Sequence, residues 1–137
     1  MASQESPLDP AHFRAIVDQA PVSIILADRD GVIRAWNRAS EALFGFAAAE
    51  VLGRSLDVII PERLREAHWQ GFDRSLASGE TKYAGRVMTT RAVHKDGRKL
   101  YVDFSFGMLK DATGAVVGAM AVGRDATERY LAERAGR

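Results

Sequence analysis

Histidine is the side chain that titrates nearest neutral pH, and the sequence holds three, one of them in a patterned context. His68 belongs to the series Leu64, His68, Phe72 and Leu76, at successive steps of four. On a helix such residues stand one above another, so the imidazole shares an apolar face with its neighbours. Arg63, Glu66, Gln70, Asp73 and Arg74 take the other faces. A neutral imidazole in that setting serves either as a ligand-facing group, suited to iron, or as a core residue bonded to a carbonyl. His12 and His94 read as solvated residues, one near the terminus and one in a turn. Met88 reads as a core filler, with a thioether that is also a candidate metal ligand.

Other chemistry is thinly represented. There are no cysteines, which excludes disulfides, thiolate metal sites and cysteine catalysis. No grouping of nucleophile, base and orienting residue occurs, and no phosphate-cradling glycine loop, so the reading is a protein that does not catalyse. Nineteen basic and eighteen acidic side chains nearly cancel, which argues against nucleic-acid binding by bulk charge. No apolar run approaches the ~20 residues that cross a bilayer. The first residues lack the basic and apolar regions of a secretory signal. The expectation is a soluble, cytoplasmic protein without membrane contact. With 137 residues, 47% of them hydrophobic, the chain suffices for one compact domain.

The elements that must position His68 follow from periodicity and punctuation. Residues 1–10 read as a disordered lead-in, then Phe13, Ile16 and Val17 mark a short amphipathic helix. Val22 to Ala27 and Val32 to Trp36 flank Asp28-Arg29-Asp30-Gly31, a hairpin pattern. Asn37 reads as the N-cap of a helix ending at Gly45, and a short helix fits 48–52. The longest helical pattern runs from Pro61 to about Ala77. Period-two runs follow over 83–94, 98–109 and 115–123, with Leu100, Val102, Phe104, Phe106 and Met108 on one face of the second. Thr127 opens a helix leaving the domain. Five strands with helices inserted after the second imply one antiparallel sheet, its apolar face covered by those helices. A small ligand would sit between sheet and long helix.

Across roughly 12–126 these features resemble the PAS family. The matching stretches are Ala20-Pro21, Asp30-Gly31-Val32-Ile33, Trp36-Asn37, Glu50-Val51-Leu52-Gly53-Arg54, Lys95-Asp96-Gly97 and Gly123-Arg124-Asp125-Ala126-Thr127-Glu128. The resemblance implies an α+β fold with a five-stranded antiparallel sheet of order 2-1-5-4-3. It implies a sensor domain over 11–126, a signalling helix over 127–137, and an effector domain attached elsewhere in a longer regulator. It also implies a homodimer built through the terminal helices, or alternatively a ligand-free interaction module.

The stretch from Pro61 to His68, followed by Gly71-Phe72, Arg74 and Gly79-Glu80, is similar to the haem-carrying helix of oxygen-sensing PAS domains. By that likeness His68 matches the proximal ligand of the iron of haem b and Arg74 a propionate partner. Leu64, Phe72, Phe104 and Phe106 would line the pocket. Met88 stands where the oxygen-sensing kinases place an arginine. Photosensory subtypes depend on a reactive cysteine that this chain lacks, so no flavin is expected.

Overall fold

The structure is a computed structural model that describes residues 8–136. Most of the expected lead-in lies outside the described residues, and Pro10 already belongs to the first helix. Pro10–Gln19 forms α1, whose first amides bond the carboxylate of Asp9 while the His12 imidazole bonds the amide of Asp9. His12 is exposed as expected, and it also caps this helix.

Ser23–Asp28 (β1) and Ile33–Trp36 (β2) pair antiparallel, and Arg38–Phe44 (α2) and Ala48–Val51 (α3) follow. A 3-10 turn spans Leu56–Ile59 and a second spans Glu62–Leu64, after which Arg65–Ser78 forms α4. Met88–Val93 (β3), Lys99–Lys110 (β4), Val116–Asp125 (β5) and Thr127–Ala135 (α5) complete the chain. The sheet has five strands in the order β2-β1-β5-β4-β3, all neighbours antiparallel, as the family resemblance implies. Among the described residues no helix is long and apolar enough to cross a membrane.

The inner face of the sheet carries the core. Ile25, Ile33, Trp36, Phe44, Val51, Ile59, Leu100, Val102 and Phe104 form one buried cluster under α2 and α3. Ala27, Phe72 and Leu76 form a second under α4, and Leu56 packs against both. The alternation read on β4 holds for its buried half, with Leu100, Val102 and Phe104 inward.

Three boundaries differ from the sequence reading. The long helix begins as a 3-10 turn because the Leu64 amide bonds the Pro61 carbonyl, so Leu64 precedes α4. The first run of the second half starts at Met88 and not at 83. Residues 81–86 are spent on two turn bonds, Ala84 amide to Thr81 carbonyl and Arg86 amide to Tyr83 carbonyl. The last helix does not leave the domain at once. Tyr130 stacks on Tyr101 of β4 with ring centroids 4.0 Å apart, and Arg129 pairs with Asp103 at 2.7 Å. Tyr101 and Asp103 point outward from the sheet, so α5 lies along its outer face.

Asn37 does more than cap a helix. Its side-chain oxygen accepts from the Ser40 amide at 3.1 Å, from the Ser40 hydroxyl at 2.8 Å and from the Ile24 amide at 2.9 Å. Its amide nitrogen donates to the carbonyls of Val17 and Val22. One side chain, 2% exposed, thus ties the end of α1, the start of β1 and the start of α2. Truncation would strand several buried polar groups. Asn37→Ala should therefore cost about 3 kcal/mol in urea unfolding, well beyond the ~1 kcal/mol of a simple cap. A loss near the lower figure would show that water replaces the amide.

Candidate functional site

Helix α4 packs Phe72 against Ala27 of β1, and His68 stands one turn before it on the same helical line. The two rings lie 6.0 Å apart and nearly parallel, at 29°. His68 is half-buried, and its Nδ1 is sealed from solvent without a hydrogen-bond partner. Burial pushes the imidazole below its usual value of 6.5, against the opposing pull of the Asp57 carboxylate. The ring is therefore neutral at neutral pH, with a nitrogen free to bond.

Trp69, which the sequence reading did not single out, completes this wall. Its ring meets His68 edge-on at 4.6 Å and Phe72 edge-on at 5.2 Å. Its Nε1–H donates to Asp57 Oδ1 at 2.8 Å. The indole lies on Gly31 in the β1–β2 turn, where any Cβ would overlap its ring carbons. Gly31 also has φ of 75°, so the turn and the close approach both demand glycine. The available signal was position, since the residue after His68 sits ~100° round the helix and flanks the same apolar face.

The remaining predicted residues divide. Met88 is paired directly opposite Phe104, so both side chains project from the inner face of the sheet. Phe104 lies 5.3 Å from Phe106 and stacks on Phe44 at 6.5 Å. Gly123 of β5 permits this, because a Cβ there would stand 2.6 Å from Phe104 Cδ1. Phe104 and Phe106 belong with the α2–α3 cluster, whereas His68, Trp69 and Phe72 sit with the α4 cluster. Leu64 is half-buried at the end of its 3-10 turn.

Arg74 is not brought to the site. It lies two residues from Phe72, ~200° round the helix, and is exposed on the solvent side of α4. His94 is corrected too. Its side chain is only 14% exposed, packs against Gly45 and accepts the Asp96 amide at Nδ1, pinning the β3–β4 turn to the end of α2.

The donor set suits a haem iron in kind, being one neutral imidazole with a free buried nitrogen on an apolar wall. Room is the constraint, since Phe44, Phe104 and Phe106 fill the core under α2 and α3 and Trp69 lies against His68 itself. A groove opens elsewhere, between α1 and β2, and another along α5 beside Asp125 and Arg129. His68 lines neither. Among the described residues no group of three or more His, Cys, Asp or Glu side chains could hold a metal ion.

Replacing a half-buried imidazole whose sealed Nδ1 has no partner by an apolar side chain should not harm the fold. His68→Leu is expected to match or exceed the parent in stability at neutral pH. The folded protein binds a proton at His68 less readily than the unfolded chain, so stability is fully present above 6.5 and declines as pH falls through that value. Unfolding at about pH 7.5 and about pH 5.5 should show that decline in the parent and a smaller one in His68→Leu. Equal declines would mean the imidazole finds a partner in solution.

Comparison with known proteins agrees with this architecture. A family model described as the PAS fold matches residues 17–131. An uncharacterized protein of Azorhizobium caulinodans is 32% identical over 123 residues, 89% of this chain and 16% of that protein. The oxygen sensor protein DosP of Escherichia coli is 28% identical over 115 residues, 84% of this chain and 14% of that protein. The chain thus spans about one sixth or less of these relatives. The crystal structure of a PAS domain from Colwellia psychrerythraea superposes with a TM-score of 0.74 at 23% identity, covering 88% of this chain and 99% of that one. Order of strands, placement of helices and extent of the match agree, and the chain belongs to the PAS fold family.

Proposed function

We propose that this chain is the sensory module of a longer signalling protein, with its input a ligand taken up beside His68 on the inner side of α4. The unpartnered, solvent-sealed Nδ1 carries the reading. A buried polar atom without a partner costs free energy, and a ligand that bonds it recovers that cost. The likeness to an oxygen sensor and the small fraction of the relatives spanned both support a sensing piece of a larger protein. Output would pass through α5, which is fastened to the outer face of β4 by the Tyr101–Tyr130 stack and the Arg129–Asp103 ion pair.

Haem is the named candidate. His68 would supply a nitrogen ligand to its iron, with Leu64, Phe72, Met88, Phe104 and Phe106 as apolar lining and no role for Arg74. Haem when bound supplies an iron that takes a diatomic gas. Admission requires the aromatic packing beside α4 to open. Protein from cells supplied with a haem precursor should show a Soret band that is lost in a folded His68→Ala. Colourless protein that also refuses added hemin removes the haem reading.

The filled interior favours a second reading, a ligand-free relay that works by self-association. Phe13 and Ile16 on α1 are each 54% exposed, and Leu131 on α5 is 50% exposed. These residues would pack against a second copy to give a homodimer through the terminal helices. Equilibrium sedimentation should then give a dimer for the full chain and a monomer for one lacking residues 1–20. Equal masses per chain would end the dimer proposal.

A further inference from the structure

We infer that Trp69 is the specificity-determining residue of the His68 site, its indole filling in the free protein the place that a ligand takes. The inference rests on the ligand reading proposed above and deepens it by naming the ligand's class. The indole is half-buried and held by four neighbours. Gly31 lies beneath it, His68 and Phe72 meet it edge-on at 4.6 and 5.2 Å, and Asp57 holds its N–H at 2.8 Å. What it does not do is bond the one buried nitrogen beside it, because its only polar group is turned to Asp57.

That arrangement describes the occupant able to replace it. The place is the one that a flat indole fills hard against the Gly31 backbone, so the occupant that takes it over is flat. The walls are aromatic, the imidazole is neutral and the Asp57 carboxylate lies at the edge, so a negatively charged group would meet no opposing charge. Nδ1 is unsatisfied, so one polar atom on the ring gives the occupant an interaction that Trp69 lacks. The ligand class is a planar aromatic or heteroaromatic ring system without negative charge, with a hydrogen-bonding atom at its edge. The tether is a single hydrogen bond to Asp57, whose side chain is 39% exposed, so the indole can swing out without unmaking the core.

Indole itself is the probe. Trp69→Ala should bind added indole at least about tenfold more tightly than the parent, measured by equilibrium dialysis. Binding should move the imidazole Cε1–H resonance of His68 while leaving those of His12 and His94 in place. Trp69→Phe, which keeps a ring on Gly31 and preserves the fold, should fall between the two in affinity. A folded Trp69→Ala that ignores indole, or binds it without moving the His68 resonance, overturns the inference. If that variant fails to fold, a Trp69→Phe affinity equal to the parent's does the same. Colourless parent protein would remove haem and leave this result standing, whereas indole failing on Trp69→Ala sinks the inference even in a protein that takes hemin.

Discussion

The buried amide of Asn37 is the constraint from which the rest of this structure can be traced. It binds the end of α1, the start of β1 and the start of α2 with one side chain that is itself 2% exposed. In the interior each of these bonds is stronger than in solvent, and none can be dropped without stranding its partner. With β1 fixed to α2, its inward residues Ile25 and Ala27 face the helices, and the β1–β2 turn is set at the edge where α4 passes. Gly31 in that turn then receives Trp69, and Trp69 in turn walls His68. The candidate site is thus three steps removed from the residue that orders the fold.

The two faces of the sheet do different work. Inside, aromatic rings fill the space under α2 and α3, while smaller residues, Ala27 and Ala119, leave a shallower floor under α4. Such a floor lets a helix lie close and gives it few large side chains to interlock with. Outside, β4 offers Tyr101 and Asp103 to α5, and Arg91 and Arg134 flank the stacked tyrosines at 5.9 and 5.7 Å. The Tyr101 backbone joins in, its amide bonding the Thr127 hydroxyl at 2.9 Å and its carbonyl accepting from Ala126 at 2.7 Å. Neighbouring side chains of a strand point oppositely, so Val102 and Phe104 on the inner face stand one position from the Tyr101 and Asp103 that hold α5 outside.

Much of this was written in local pattern. The strand alternation of β4, the hairpin around Gly31, the cap at Asn37 and the helical line through His68 and Phe72 are properties of residues within a few positions of one another. Periods of 2 and 3.6 report which face is apolar, and turn residues report where the chain reverses. Arg74 shows the two kinds of reading apart. A likeness of motif placed it at the site, while its own helical angle, two residues from Phe72, sends it to solvent.

By itself, then, the sequence determined the strand and helix types, the inward turn of the imidazole and the absence of thiol chemistry. Only the tertiary structure decided what meets that imidazole. Trp69 reaches Gly31 across 38 positions and Asp57 across 12, and Phe104 lies on Gly123 because two strands share a register. Whether Nδ1 finds a partner depends on the sum of these distant approaches, which no local period records. The same holds for α5, whose return to β4 hangs on a tyrosine pair 29 residues apart.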